Sequence, residues 1–276
     1  MVTNISDFLH AKTSMVTIAR DTGAFLALPE YGEPPYSAVI LGHERYGLVQ
    51  HTLDLAARFA AYGYVAIAPD MASHWEGDKD ALNRGDARLD ITDEQVKLYM
   101  SQALDHLQSM PEVDNSRLAA MGVCASGGYP LLLNSIRKEI KANVVVYGGQ
   151  RTPPEVIEQV TAPIIGIWGE DDFVINIEEV RDFRGLLEQK RKTYEFTLFR
   201  GMPHGWMNST MPARYRPRET EQAWALIIDF MERAFSGQFE PGRVEWSFRS
   251  NIAPDYDFTK KVRYGVHGIE PLTITL

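Results

Sequence analysis

The residues whose types and spacing carry the most chemistry lie in Arg117-Leu-Ala-Ala-Met-Gly122-Val-Cys124-Ala-Ser126-Gly-Gly128, followed by Tyr129-Pro-Leu-Leu-Leu-Asn. A buried strand runs into a cluster of small residues and then a helix, the pattern that lifts one side chain from a sharp turn over a sheet's carboxyl edge. Small residues are needed because Gly122 and Ser126 fall where a larger side chain would strike the neighbouring strand or helix. A thiol at a helix amino terminus is favoured as thiolate by the local positive partial charge. The next amide, that of Ala125, points at the same spot and can hold an oxyanion. Both Cys124 and Ser126 fit a nucleophile with small residues two positions away. Cys124 is preferred because the strand ends where it would be lifted out; the plain alternative is an inert buried cysteine.

A nucleophile of this kind needs a base, and the base needs an orienting group. The apolar run Ile164–Trp168 ends in Gly169-Glu170-Asp171-Asp172-Phe-Val, an acid just past a strand end. Asp171 is preferred as the orienting carboxylate, Asp172 is the alternative, and Glu170 fits least. The run Tyr194–Phe199 ends in Arg200-Gly-Met-Pro-His204-Gly-Trp206, which suits a general base on a loop. Alone, a histidine beside Gly and Pro reads as a surface loop residue. Its place third, after nucleophile and acid, makes it functional.

The elements that must position these groups alternate along the chain. Near-continuous apolar runs at Ser37–Leu41, Tyr64–Ala68, Leu118–Val123, Asn143–Tyr147, Ile164–Trp168 and Tyr194–Phe199 read as strands covered on both faces. Between them, Leu48, Thr52, Leu55, Ala56 and Phe59 form a helical stripe stopped by Gly63. Thr92 and Gln95 form a capping box for a helix running toward Met110 and ended by Pro111. Glu221–Phe235 is another amphipathic stretch. Met15–Arg20 with Gly23–Pro29 reads as a hairpin at the sheet's edge. The alternation predicts an α/β fold, a mostly parallel central sheet with helices on both faces. Composition changes after Phe235, and residues 236–276 read as an irregular or β C-terminal extension to a catalytic domain over 1–235. That extension either wraps its own domain or adds strands to a partner subunit, a possible homodimer.

Composition narrows the partners. The 276 residues are 45% hydrophobic and 24% charged, as in an ordinary globular protein, and 28 basic against 37 acidic residues (net −9) argue against gripping nucleic acid or an anionic membrane. No apolar run approaches the ~20 residues of a membrane span. The start, MVTNISDFLHAKTS, lacks a secretion-signal pattern. With a single cysteine this reads as a cytoplasmic protein with no disulfide of its own. Seven histidines without His-Glu-x-x-His, and no phosphate-cradling glycine loop, leave no metal site or cofactor expected.

Gly122-x-Cys124-x-Ser126-Gly127, Gly-x-Asp171-x-Phe-Val and Pro-His204-Gly resemble the dienelactone hydrolase family, which has the α/β-hydrolase fold. Leu41-Gly-His-Glu44-Arg45-Tyr46-Gly47 is similar to that family's Gln-Glu-x-Phe-Gly segment. The resemblance spans roughly residues 35–235. It implies a Cys124, Asp171 and His204 triad, and an oxyanion hole from the amides of Ala125 and Arg45. Glu44 would be the carboxylate that helps control the thiol's ionisation. It also implies hydrolysis of a small lactone or ester by carboxymethylenebutenolidase-type ring opening. Tyr46, Trp206 and Asn208 are expected to support the substrate, with Trp75 and Tyr129 as further candidates to wall an apolar pocket. Two departures stand out: Ser126 where the family usually has glycine, and Asn208 where better-known members carry an arginine for the substrate's carboxylate. Arg84, Arg88, Arg214 or Arg216 could replace that charge. The alternatives are a serine esterase using Ser126, or a non-catalytic protein that holds a small ligand in the same pocket.

Overall fold

Each of the six apolar runs becomes a strand in the computed structural model, which describes residues 10–240, 243–250 and 270–275, with Ser250 and the last six by backbone alone. The expected hairpin forms as β1 (Ala11–Ile18) and β2 (Thr22–Pro29), antiparallel, with Ile18 opposite Thr22. Then follow β3 (Tyr36–Gly42), β4 (Tyr64–Pro69), β5 (Val113–Val123), β6 (Ile140–Val146), β7 (Ile164–Gly169) and β8 (Tyr194–Phe199). Two further strands, β9 (Glu245–Ser250) and β10 (Glu270–Thr275), lie in the C-terminal extension. The order across the sheet is β1-β2-β4-β3-β5-β6-β7-β8-β9-β10. Contacts from β4 through β3 to β9 are parallel, while β1, β2 and β10 run antiparallel to their neighbours.

Seven α-helices connect the described strands: α1 (Gln50–Ala61), α2 (Lys79–Arg84), α3 (Asp93–Ser109), α4 (Tyr129–Ile136), α5 (Pro154–Gln159), α6 (Ile177–Gln189) and α7 (Pro217–Phe235). Of the stripe read from Leu48 to Phe59, all but Leu48 lies in α1, and Gly63 takes φ +89° just beyond it, a conformation glycine adopts without strain. α3 opens as its sequence requires: the Gln95 amide donates to Thr92 Oγ1 at 3.2 Å, and the Thr92 amide donates to Gln95 Oε1 at 2.9 Å.

Side chains alternate across the sheet, and this decides what each helix covers. Val39, Leu41, Ala66, Ala68, Ala119 and Met121 face Leu55 and Phe59 of α1 and Trp224, Ile227 and Phe230 of α7. Ala38, Ile40, Val65, Ile67 and Ala120 face Met100, Leu104 and Leu107 of α3 and Leu133 of α4. Burying each large apolar side chain between these layers contributes about 1.5–3 kcal/mol. Among the described residues, no helix is long and apolar enough to cross a membrane.

The sheet positions the site through its topology. β3 has β4 on one side and β5 on the other, so the chain leaves it in opposite directions and a crevice opens beyond the carboxyl ends. The loops after β3, β5, β6, β7 and β8 all emerge at that edge. Beyond α7, β9 pairs in parallel with β8, Tyr194 opposite Trp246, and Trp246 Nε1 donates to the Lys192 carbonyl at 2.9 Å. β10 closes this end against β9. The readings of residues 1–9 and 251–269 fall outside the described residues.

Candidate active site

Strand β5 ends at Val123, and Cys124 follows with φ +58°, a left-handed conformation that costs a non-glycine residue of order 1–3 kcal/mol. The surroundings hold it there. A Cβ on Gly122 would lie 1.9 Å from the Ser126 carbonyl oxygen, and one on Gly127 would lie 2.5 Å from the Gly148 Cα. The crowding inferred from the small residues is therefore real. Ser126 is fully buried: its Oγ donates to the Val123 carbonyl and accepts from the Val123 amide, both at 2.9 Å. Its Cβ also fills the space a Cβ on Gly42 would need, at 2.7 Å. The hydroxyl thus ties the turn to the strand and faces no base.

Cys124 does face one. His204 Nε2 lies 3.0 Å from Cys124 Sγ, and His204 Nδ1 lies 2.8 Å from Asp172 Oδ2. The expectation of Asp171 as the orienting acid is corrected here to its neighbour. The Asp171 amide donates to the Met202 carbonyl at 3.1 Å, and its side chain is exposed. The next residue is consequently turned inward. Asp172 Oδ1 accepts from the amides of Val174 and Ile175, each at 2.8 Å, which leaves Oδ2 for the histidine.

Burial alone would push the His204 pKa down. The hydrogen bonds the ring donates to Asp172 and Cys124, with the negative charge of both, outweigh it and raise the value to about 9. A histidine whose pKa rises on folding stabilises the protein fully below its unfolded value, near 6.5, and that stabilisation is lost as pH climbs through the folded value. The urea midpoint should therefore fall between pH 6.5 and about 9. The fall should be visibly flatter in His204→Gln.

Glu44 follows β3 and is almost fully buried. Asn208 Nδ2 donates to its Oε2 at 2.8 Å, and the Tyr147 hydroxyl lies 3.4 Å from Oε1. Tyr147 takes φ +35°, is wholly buried and stands edge-on to the His204 ring with centroids 5.1 Å apart. Burial, then the charges of Glu44 and Cys124, push its hydroxyl pKa well up, so it acts as a neutral donor. Next to Glu44, His43 Nδ1 donates to the Glu44 carbonyl at 2.8 Å, while Nε2 accepts from the Met71 amide at 3.2 Å. Those two bonds assign one neutral tautomer, in keeping with a pKa lowered by burial.

These groups open on a cavity of about 610 Å³ that Cys124, His204, Glu44, Arg45, Tyr46, Ala125 and Tyr129 help to line. Trp206 does not line it. Gly205, at φ +76°, turns the chain so that the indole is buried beneath the loop against Phe199, ring centroids 4.9 Å apart. Trp75 is likewise absent from the wall. Of the four arginines considered, Arg84 pairs with Asp86, and Arg216 donates to the carbonyls of Ala213 and Tyr215. Arg88 and Arg214 do line the cavity, and so does Arg151, which had no sequence signal beyond following Gly148-Gly149. Tyr147 was also missed as a site residue; it lies within the β6 run, where an aromatic reads as core. Among the described residues, no group of three His, Cys, Asp or Glu side chains is placed to hold a metal ion.

Residues 22–235 match the family described as the dienelactone hydrolase family. The chain is 25% identical over 232 residues to a Yersinia pestis protein named "Putative carboxymethylenebutenolidase", covering 79% of this chain and 86% of that one. It is 29% identical over 229 residues, 78% of this chain and 90% of the other, to a Bradyrhizobium protein named "Probable 2-oxo-3-(5-oxofuran-2-ylidene)propanoate lactonase". The fold is shared with the crystal structure of a "Putative Dienelactone Hydrolase" of Klebsiella pneumoniae, at TM-score 0.68 and 23% identity over 81% of this chain and 98% of that one. With the family match spanning most of the sequence, and a thiol, an imidazole and a carboxylate in line at the sheet's carboxyl edge, the chain belongs to the dienelactone hydrolase family of α/β-fold hydrolases.

Proposed function

We propose that this protein hydrolyses a small lactone or ester through a Cys124 thiolate. The observation that carries the reading is the unbroken line from Cys124 Sγ through His204 to Asp172, opening into the cavity. His204, protonated and held by Asp172, sits beside the thiolate. The sulfur attacks the carbonyl carbon, and the amides of Ala125 and Arg45 hold the oxyanion; one such donor is worth about 2.7–4 kcal/mol. Collapse breaks the ring C–O bond and leaves an acyl thioester. The leaving oxygen, an alkoxide or the more stable enolate of an enol lactone, takes the His204 proton and leaves the imidazole neutral. His204 then removes a proton from water as that water attacks the thioester. The carboxylic acid leaves, and the sulfur departs as thiolate. An enol lactone fits this nucleophile because its leaving group is already stable, and the names carried by two relatives support that class.

The substrate in this reading carries a carboxylate. Asn208 cannot grip an anion as arginine does, but Arg88, Arg151 and Arg214 surround the mouth, with Glu44 and Asp93 the acidic residues on the wall. Arg214 also stacks on exposed Phe173 at 5.2 Å, and both residues line the cavity. Exposed charge pairs contribute up to about 1 kcal/mol each. Arg151→Ala with Arg214→Ala should therefore raise KM for a carboxylated lactone about fivefold to tenfold, and leave KM for a neutral aryl acetate nearly unchanged. Equal effects on both substrates would remove the anion from the proposal. A screen of lactones and aryl esters with the wild-type protein tests the activity itself. At least one enol lactone should show saturable turnover, and a panel no faster than buffer would refute the reading.

A further inference from the structure

The carboxylate of Glu44 and the imidazole of His51 are both buried, and each lacks what the other offers. Glu44 is 3% exposed and His51 2%. Glu44 Oε2 is satisfied by Asn208, but Oε1 has only the Tyr147 hydroxyl at 3.4 Å, longer than an ordinary hydroxyl bond, and His51 Nε2 at 4.0 Å. His51 Nε2 has no hydrogen-bond partner. A buried polar atom left unpaired costs about 1–3 kcal/mol, and a buried carboxylate without a charged partner costs more. Among the described residues, His51 is the one basic group within ion-pair reach of Glu44.

We propose that His51 is a positioning residue of this site, its neutral Nε2–H directed at Glu44 Oε1 so that the carboxylate is held fixed against Asn208. His51 is the second residue of α1, whose first turn follows the Glu44 loop, so the backbone sets the approach. The other groups around the pair leave this role open. On α1, Asp54 Oδ1 accepts from Gln50 Nε2, and Oδ2 is unpartnered. On the β3 loop, both nitrogens of His43 are already engaged. From the end of β6, Tyr147 is a neutral donor, and from the loop after β8, Asn208 is uncharged. Cys124 and Asp172 also act on Tyr147. Burial pushes the His51 pKa down against Glu44 and Asp54, which favours a neutral donor over a cation.

The consequence is electrostatic. Glu44 and Cys124 line one cavity and both act on Tyr147, so the Glu44 carboxylate opposes negative charge on Cys124. Without the His51 donor the Glu44 carboxylate is no longer held at this point of the cavity wall, so its repulsion of negative charge on Cys124 weakens, as it does when Glu44 is replaced by glutamine. Because the chain has one cysteine, iodoacetamide labelling followed by intact mass reads Cys124 alone. The pH profile of labelling should move to lower pH in His51→Ala and in the bulkier apolar His51→Met, in the direction of Glu44→Gln. A shift of about one pH unit is about tenfold in rate at a fixed pH on the rising limb. His51→Gln, which keeps an Nε donor, should stay near the wild-type profile. In a Glu44→Gln background, His51→Met should add nothing. A His51→Met profile that superimposes on wild type, or that shifts equally in the Glu44→Gln background, would overturn the assignment. The role matters to turnover only under the hydrolase reading, but labelling needs no substrate. A protein that turns over no lactone yet shows these shifts would refute hydrolysis and leave His51 standing.

Discussion

Cys124→Ala is expected to lower kcat/KM on any substrate of the wild-type protein by about 10⁴-fold or more, as loss of a nucleophile does elsewhere. The geometry leaves no substitute. Among the described residues no other thiol exists, and the nearest hydroxyl in the turn, that of Ser126, is sealed away and bonded in both directions to Val123. Ser126→Ala should cost stability by releasing those two bonds, and not the chemical step. Steady-state rates of the two variants on one activated ester separate these roles. A Cys124→Ala protein with near-wild-type rates would move the chemistry to another residue.

The second large effect belongs to the carboxylate. Asp172→Asn should reduce kcat about 10³- to 10⁴-fold while KM changes little, because an amide at this position can present its NH₂ to Nδ1 and fix the wrong tautomer. Asp171→Asn should stay within about twofold of wild type, as a surface change usually does. Its side chain points to solvent, whereas Asp172 is one of the buried acids. The pair of variants is informative because one residue of sequence separates them.

That one residue marks where the sequence stopped being legible. The strands were readable because runs such as Ile164–Trp168 are apolar on both faces, and the α3 capping box is a local hydrogen-bond pattern that Thr92 and Gln95 dictate. The turn at Cys124 was readable because glycine spacing reports steric exclusion. The acid was not, because which of two adjacent aspartates faces inward depends on the loop's path. The signal that could have found it is local: a carboxylate capping the amides two and three residues on, as Asp172 does for Val174 and Ile175, is an Asx-type turn. Trp206 was misread for a related reason. Its proximity to His204 in sequence says nothing of the reversal at Gly205 that sends it beneath the loop. Arg151 and Tyr147 come from the segment after β6 and His51 from α1, and only the packed sheet brings these elements beside Glu44 and the cavity.

The residue at 126 shows how a departure from a family pattern can be structural. Serine is accommodated because Gly42 on the adjacent strand lacks a Cβ, and the hydroxyl makes use of the space by closing onto Val123. Asn208 is a different case. It retains the grip on Glu44 at 2.8 Å but brings no positive charge, and the proposed function assigns the anion to arginines lining the cavity instead.

The most direct measurement is the site of acylation caught during turnover. Rapid mixing with p-nitrophenyl acetate, acid quenching and peptide mass analysis should find the acetyl group as a thioester on Cys124, labile to hydroxylamine, and accumulating in His204→Gln if any acylation persists there. An acetyl group on Ser126 or on any other side chain, with Cys124 left free, would contradict the assignment of the sulfur as nucleophile.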